Sequence, residues 1–230
     1  MSEHMALENL TVLDLTRVLA GPFCTMMLAD MGANVIKIEV PKGGDDTRSY
    51  PPFRAKNLNG ERESVYFANI NRNKKGITLN LKAPEGKEIF KELVKKADIV
   101  VENYRPGVMD KLGLGYDVLK EINPRIIYAA VSGFGCYGPY HLRPGYDILA
   151  QAMGGMMSIT GSKGGEPTRA GSALGDILGG LHVTIGILAA VNARTITGKG
   201  QRVDVSLMDS MIAATENTAL KYLETGNIPA

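Results

Sequence analysis

The sequence predicts an α/β fold built on an open, mostly parallel sheet with helices on both faces. Strand-like and helix-like segments alternate repeatedly along the chain, which is the pattern of βαβ units. Two of the strand candidates, Asp98–Glu102 and Arg125–Val131, are apolar runs bounded by turn residues, as is typical of buried parallel strands. The chain has 230 residues, of which 44% are hydrophobic and 22% charged, so its size suits one large domain or two small ones.

The elements of the first half are predicted from apolar periodicity and from the residues that begin and end helices. Proline near the start and Gly32 after the end delimit the first helix. Charged residues along one side indicate that the second helix is amphipathic. In order, we predict a strand at Thr11–Leu15, a helix at Pro22–Met31, a strand at Asn34–Glu39, a loop at Pro41–Arg62, a strand at Gly76–Leu81 and a helix at Pro84–Ala97.

The second half continues the alternation, with longer loops. A segment rich in glycine and proline follows Val131 and extends to Gly145. Around it we predict helices at Val108–Leu112, Tyr116–Ile122 and Tyr146–Met153, a loop at Gly161–Ser172, a long helix from Asp176, a strand at Arg202–Ser206 and a last helix at Leu207–Glu224.

Charge and cysteine usage exclude several classes of function. The net charge is +2, from 26 basic and 24 acidic residues, which is too balanced for a protein of nucleic acid or of anionic membranes. The N-terminal residues are polar, so we expect no signal peptide, and Cys24 and Cys136 have no metal-like spacing. We therefore expect a cytoplasmic protein with reduced thiols.

The segment Ala170–Gly180 sets one carboxylate, Asp176, among small residues where a long uncharged run begins. The run, Ile177–Ala193, predicts a core helix buried nearly all round rather than a membrane span. Aspartate at a helix start is commonly a capping residue. It also suits a nucleophile, because glycines would let a substrate approach and the helix N-terminus would help to keep the carboxylate ionised. The local pattern leaves both interpretations open.

Other catalytic motifs are missing from the sequence. No Gly-x-Gly-x-x-Gly follows the first strand, and the Walker A, His-Glu-x-x-His and Gly-x-Ser-x-Gly patterns do not occur. The imidazoles are His4, His141 and His182, and His182 does not share a helix face with Asp176. We interpret His182 as a core or interface residue, and we expect no metal site.

The loops that leave the carboxyl ends of the strands are candidates for binding, because ligands of parallel sheets lie there. They are rich in Gly, Pro, Asn and Arg. Basic residues also cluster at Asn71–Lys75, either as a solvated face or as a site for a phosphorylated ligand. The candidate loops are Thr16–Gly21, Pro41–Asp46, Asn103–Gly107 and Ser132–Gly138.

Six segments in fixed order point to a family. They are Leu13–Pro22, Leu28–Glu39, Asn71–Gly76, Asp98–Gly107, Pro144–Asp147 and Gly175–Asp176. Together they resemble the class III CoA-transferase family of the CaiB/BaiF type, which includes formyl-CoA and carnitine CoA-transferases and the α-methylacyl-CoA racemases. The resemblance covers nearly the whole chain from Leu7 onward.

The resemblance implies a Rossmann-like CoA-binding domain that forms the N-terminal part of the family's large domain. Asp176 matches the family's catalytic aspartate. Coenzyme A or acyl-CoA is implied as a substrate, with no permanently bound cofactor. The positions that match the family's CoA-binding segments are Val18, Leu19, Ala20, Ile70, Asn71, Arg72, Asn73, Asn103, Tyr104, Arg105, Lys111, Tyr146 and Asp147.

The family scheme implies covalent catalysis through an aspartyl mixed anhydride and an aspartyl-CoA thioester. We expect backbone N–H groups around Gly175 to stabilise the developing oxyanions. Racemases of the family have a histidine where Tyr146 stands, so transfer is favoured over racemisation or epimerisation.

Family members are longer than this chain, and their two subunits interlock. The resemblance therefore implies a tail at residues 1–6, a catalytic domain at 7–224, and the start of a linker to a smaller domain at 225–230. The implied partners are an acyl-CoA, a carboxylic acid, and a second copy or a complementary chain. A non-catalytic CoA-binding subunit is the alternative.

Overall fold

The computed structural model describes residues 4–54, 60 and 62–228. Its strands are β1 (Thr11–Asp14), β2 (Asn34–Glu39), β3 (Phe53–Arg54), β4 (Glu63–Ser64), β5 (Lys75–Thr78), β6 (Ile99–Glu102), β7 (Ile127–Ser132) and β8 (Arg202–Ser206). β3 and β4 form a short antiparallel pair, while the other six form one parallel sheet in the order β5-β2-β1-β6-β7-β8. The predicted parallel α/β sheet is confirmed.

The helices connect these strands over both faces of the sheet. They are α1 (Ala20–Asp30), α2 (Val65–Ile70), α3 (Pro84–Val94), α4 (Val108–Leu112), α5 (Tyr116–Ile122), α6 (Asp147–Met153), α7 (Leu174–Thr197), α8 (Leu207–Ala214) and α9 (Asn217–Thr225). Leu28 of α1 and Ile187 of α7 are fully buried on one face, and Phe90 of α3 and Leu119 of α5 on the other. The predicted helices on both faces are therefore confirmed.

Strands β2 and β8 and helices α4 and α5 have the predicted bounds. The segment Pro41–Arg62, predicted to be loop, contains a single 3-10 turn at Asp46–Ser49 and strand β3, while residues 55–59 and 61 lie outside the described residues. Helix α2 has no counterpart among the predicted elements. It begins at Ser64, whose hydroxyl accepts the N–H of Phe67 at 3.2 Å.

The single helix predicted over Leu207–Glu224 is wrong, because the chain turns between α8 and α9. Glu216 has a φ of 51°, which ends the helical path. The preceding Thr215 is buried, and its hydroxyl donates to the carbonyl of Ile212 at 2.7 Å. No glycine or proline marks this break in the sequence.

Helix α7 is buried on one side only, so the prediction that it is buried nearly all round is wrong. Glycines on its inner side allow β8, α8 and α1 to approach closely. At Gly186, for example, an added Cβ would lie 2.6 Å from Val203 of β8. On the outer side, Ile185 is 62% and Ile196 81% exposed, and His182 is exposed rather than in the core. By length and composition alone α7 could cross a membrane, as many core helices of globular proteins could. Its packing on the sheet fits the predicted core helix.

The predicted tail at 1–6 and the predicted linker at 225–230 are only partly described, since residues 1–3 and 229–230 lie outside the described residues. Leu7 is buried, and its N–H donates to the carbonyl of Met31 at 3.0 Å. The packed part of the chain therefore includes residue 7, and α9 ends at Thr225.

Candidate active site

The strand order creates a crevice at the carboxyl edge of the sheet. From β1 the chain continues outward to β2 and β5, whereas from β6 it continues the other way to β7 and β8. The loops that follow β1 and β6 therefore leave two neighbouring strands in opposite directions, and a crevice lies between them. This is the usual place for a ligand in an open parallel sheet. These loops contain the predicted CoA-binding segments Val18–Ala20 and Asn103–Arg105.

Asn103 ties the two loops together. Its side-chain oxygen accepts the N–H of Arg17 at 2.9 Å, and its amide nitrogen donates to the carbonyl of Arg17 at 2.7 Å. The next residue, Tyr104, donates its N–H to Glu102 at 2.7 Å. The structure therefore brings these two predicted segments together. Arg105 and Lys111 are exposed and follow this segment in the chain, in the loop before α4 and in α4 itself.

The loop after β1 is held rigidly by buried charged side chains. Asp14 accepts both the N–H and the hydroxyl of Thr16, and Lys37 donates to the carbonyl of Thr16 at 2.8 Å. Val18 has a φ of 68°, which is strained for a β-branched residue, and its N–H donates to Asp45 at 3.2 Å. Such strain persists where the surroundings fix the backbone, as they do here.

Two buried ion pairs lie next to the loop after β1. Lys74 lies 3.1 Å from Asp14, and Lys37 lies 2.9 Å from Asp45, with all four side chains nearly inaccessible to solvent. Burial by itself would raise the pKa of Asp14, but the Lys74 and Lys37 ammonium groups outweigh it and hold that pKa below its usual value. In the sequence, Lys74 belongs to a basic cluster, and neither ion pair was predicted. A lysine between the apolar residues Ile36 and Ile38 of a strand was the available signal.

The predicted segment Ile70–Asn73 is divided between the two ends of α1, because the Lys74 ammonium that binds Asn71 also donates to the carbonyl of Pro22, at the start of this helix, at 3.0 Å. Ile70 is buried, and the Asn71 oxygen accepts from Lys74 at 2.9 Å. Arg72 and Asn73 donate to Asp30, the last residue of α1, at 3.1 and 2.8 Å. Since α1 has 11 residues, these two side chains lie about 15 Å along the helix from the Val18–Ala20 loop. The structure does not bring the side chains of Arg72 and Asn73 into the crevice.

Asp176 lies in the first turn of α7, which packs against the start of α1. At Gly180 an added Cβ would be only 2.8 Å from the carbonyl oxygen of Ala20. The residue that precedes α7 is Ala173, and no side chain caps the helix. Within the described residues, the half-buried Asp176 carboxylate has no hydrogen bond or ion pair. The capping interpretation of Asp176 is therefore wrong.

The surroundings of Asp176 raise its pKa to about 6. Burial is the main cause and the negative charge of Asp147 the second, while Arg169 partly offsets them. Asp176 in turn is one of the charges that, after burial, raise the pKa of Tyr66 to about 12. Tyr66, on α2, lies edge-on to Tyr50 with 5.8 Å between ring centroids. Tyr66 was not predicted as a site residue, because no helix was predicted at α2, which positions it.

Tyr146 and Asp147 have different environments although they are neighbours. Tyr146 is 70% exposed, whereas Asp147 is buried and accepts the N–H of Gly175 at 2.9 Å. The Gly175 N–H is therefore not free to stabilise an oxyanion, and the role of the other backbone N–H groups around Gly175 stays a prediction.

The loop after β7, predicted as a further binding loop, borders an open cleft of about 290 Å³. Aromatic side chains and the carboxylates of Asp204 and Asp209 line it, so it has no cationic group for phosphate. Over the described ranges, no three His, Cys, Asp or Glu side chains are grouped as a metal site would need.

Comparisons with known proteins agree with the geometry. A family model described as CoA-transferase family III matches residues 7–230. An acyl-CoA transferase of Fusarium pseudograminearum is 50% identical over 98% of this chain and 50% of its own length. A succinyl-CoA:mesaconate CoA-transferase of Haloarcula marismortui is 47% identical over 97% of this chain and 57% of its own. The chain thus spans about half the length of these relatives.

Among solved structures, a CaiB/BaiF family protein from Brucella suis superimposes with a TM-score of 0.94 at 45% identity. The match covers 99% of this chain and 60% of the Brucella chain.

Proposed function

The chain belongs to CoA-transferase family III, and from that membership we propose that it moves CoA from an acyl-CoA donor to a carboxylic acid acceptor. Asp176 is the proposed nucleophile. CoA and acyl-CoA enter as substrates rather than as a resident cofactor.

One observation carries the proposal: the carboxylate of Asp176, beside the ligand crevice, is half-buried and has no hydrogen-bond partner among the residues that the structure describes. Its pKa, raised to about 6, leaves it ionised at neutral pH and more basic than an ordinary carboxylate. Both properties favour attack on a thioester carbonyl.

In the proposed reaction, an oxygen of Asp176 attacks the donor carbonyl and the carbon–sulfur bond breaks, giving a mixed anhydride and CoA thiolate. The thiolate attacks the aspartyl carbonyl and releases the donor acid, which leaves an aspartyl-CoA thioester. The acceptor carboxylate then attacks this thioester and expels the thiolate. The thiolate finally attacks the acceptor acyl carbonyl, which frees Asp176. Exclusion of water preserves the thioester through all four steps.

We propose that CoA lies across the loops after β1 and β6. Val18–Ala20 and Asn103 offer rigid backbone there, and the exposed Arg105 and Lys111 are cations for the phosphates. For the acceptor, the name of the Haloarcula relative makes mesaconate with succinyl-CoA the first pair to test. Tyr146, with a phenol in place of a basic imidazole, disfavours racemisation.

We further propose that the protein acts in the cytoplasm as a homodimer or with a complementary chain. The support for association is the apolar outer side of α7, where Ile185 and Ile196 are exposed.

The test is to trap the aspartyl intermediate. The protein is incubated with succinyl-CoA, quenched with hydroxylamine or borohydride, and digested, and mass spectrometry locates the modification. We expect it on the peptide that contains Gly175-Asp176-Ile177, and not in Asp176→Asn. The proposal fails if the wild-type protein binds acyl-CoA but carries no adduct, or if the adduct lies on another carboxylate.

A further inference from the structure

Helix α6 contributes two buried polar side chains that face the segment leading into α7. Asp147 is 7% exposed and Gln151, one turn later, is fully buried. Buried polar side chains of this kind require partners. Here almost all partners come from residues 169–175, which immediately precede the proposed nucleophile.

Asp147 binds this segment at both of its ends. One carboxylate oxygen accepts the N–H of Gly175 at 2.9 Å, and the other accepts from the Arg169 guanidinium at 2.8 and 3.1 Å. The Gln151 side-chain nitrogen donates to both oxygens at 3.0 and 2.9 Å. The carboxylate is thus saturated by protein donors.

Gln151 binds the middle of the same segment. Its oxygen accepts the N–H of Ala170 at 2.9 Å, and its nitrogen reaches the carbonyl of Ser172 at 3.2 Å. The packing at Gly175 is equally close, because a Cβ there would lie 3.1 Å from that of Ala150 and 3.3 Å from an Asp147 oxygen. Two side chains of one helix therefore fix the backbone that carries Asp176.

We propose that Asp147 is a positioning residue for Asp176, which together with Gln151 and Arg169 holds the first turn of α7 so that the nucleophile faces the thioester. The inference rests on the proposed nucleophilic role of Asp176. It gives Asp147 a different role from CoA binding, to which the family resemblance assigns it. Asp147 acts through hydrogen bonds to the protein and through its charge, without touching the substrate.

The charges around Asp176 make this role measurable. Asp147 faces it from α6, Arg169 from the preceding loop and Tyr66 from α2. The negative Asp147 raises the pKa of Asp176 and the positive Arg169 lowers it. Removing each charge should therefore move the titration of Asp176 in opposite directions.

The experiment compares Asp147→Asn and Arg169→Gln with the wild type. The control is Asp117→Asn, which removes another first-turn aspartate paired with a cation, on α5. Two quantities are measured: the pH dependence of adduct formation with succinyl-CoA, and the titration of the Asp176 carboxyl carbon by ¹³C NMR without substrate. We expect Asp147→Asn to slow adduct formation at pH 7 by about 10- to 100-fold. It should also move the acidic limb of the pH–rate profile to lower pH. Arg169→Gln should move it to higher pH, and Asp117→Asn should leave it unchanged.

The proposal is overturned if neither variant moves the Asp176 titration, or if both move it in the same direction. Arg169 is partly exposed, so Arg169→Gln tests the charge relation even where Asp147→Asn does not fold. A wild-type protein that forms no adduct, yet whose Asp176 titration responds to both variants as expected, would refute the proposed function while confirming that Asp147 and Arg169 control the charge of Asp176.

Discussion

Asp14 is fully buried and Asp176 is half-buried, and their neighbours shift the pKa values of the two carboxyl groups in opposite directions. Two ammonium groups and two hydroxyls hold the pKa of Asp14 below its usual range against the effect of burial. Asp176 has no such partners, and burial with a nearby carboxylate raises its pKa to about 6. Asp14 is therefore a permanent anion that organises a loop, and Asp176 is the carboxylate left for chemistry.

Asp176→Asn should abolish acyl exchange and at the same time stabilise the fold. An amide cannot attack a thioester, so activity is lost. Because the folded-state pKa lies above the ordinary 3.8, the wild type loses stability as pH rises from about 4 to about 6. The variant avoids this loss, so its free energy of unfolding should exceed that of the wild type by about 1–2 kcal/mol at pH 8 and match it near pH 3.

Urea denaturation at the two pH values, combined with an exchange assay, tests both parts. An active Asn variant would return Asp176 to a structural role. Equal stabilities at pH 8 would contradict the environment assigned to the carboxylate.

Arg105→Ala and Lys111→Ala should each weaken CoA binding by about tenfold, because each removes a cation proposed to contact a phosphate. Calorimetry at several salt concentrations should also give a weaker salt dependence for each variant. The matched control is Lys120→Ala, an exposed lysine near the end of α5 that pairs with Asp117. A loss of affinity as large in the control would remove the specific role of the two cations.

Arg72→Ala tests whether the segment Ile70–Asn73 binds CoA through its side chains, as the family resemblance implies. The guanidinium is bound to Asp30, so the structure favours a lower melting temperature with unchanged affinity. Weaker CoA binding at an unchanged melting temperature would support the role implied by the resemblance.

At the scale of elements, the sequence predicted correctly those strands and helices whose ends are determined by nearby residues. Strand β8 and helices α4 and α5 have the expected bounds, since apolar spacing and turn glycines delimit them. Helix α2 is one and a half turns long and follows a polar segment, so its periodicity is too short to detect. The break between α8 and α9 depends on the left-handed Glu216 and has no local signal.

In the candidate site, too, some features could be predicted from the local sequence and others could not. Asp176 and the loops after β1 and β6 were predicted, because a carboxylate among glycines and the Asn and Gly of the loops are visible in the sequence. The bonds that organise them join distant residues. Asn103 holds Arg17, Lys74 pairs with Asp14, and Asp147 binds Gly175. Such pairings arise from the topology, and no spacing in the sequence indicates them.

Lys74→Met should destabilise the protein by about 3–5 kcal/mol, because it leaves Asp14 buried without its nearest countercharge. The pair connects the end of β1 with the segment before β5, so the loss affects the whole edge of the sheet. The control is the neighbouring Lys75→Met, which removes an exposed ammonium that donates to Asn34 and should change stability by less than about 0.5 kcal/mol. Denaturant unfolding of both variants measures the two changes in the free energy of unfolding. Equal changes would mean that the buried pair contributes little to stability.

At the scale of the whole molecule, one parallel sheet serves two purposes. Its carboxyl edge places the loops of β1 and β6 beside the start of α7, where Asp176 lies. On its flank, α6 and α7 expose the apolar side chains of Ile148, Leu149, Leu181, Ile185 and Ile196. The chain spans about half the length of its relatives, and this flank supports the proposed association with a second chain.

We predict that the 230-residue chain associates through the outer side of α7. Ile185 and Ile196 are 11 residues apart on this helix, so they share one face, and both are largely exposed. Sedimentation velocity over a range of concentrations should detect dimers or larger species, and Ile185→Glu with Ile196→Glu should shift the chain toward monomer. The control is Ile89→Glu, an exposed isoleucine of α3 on the opposite face of the sheet, which should leave the distribution unchanged. A wild-type chain that stays monomeric at every concentration and catalyses rapid transfer would show that α7 needs no partner, and the site would then be complete within a single chain.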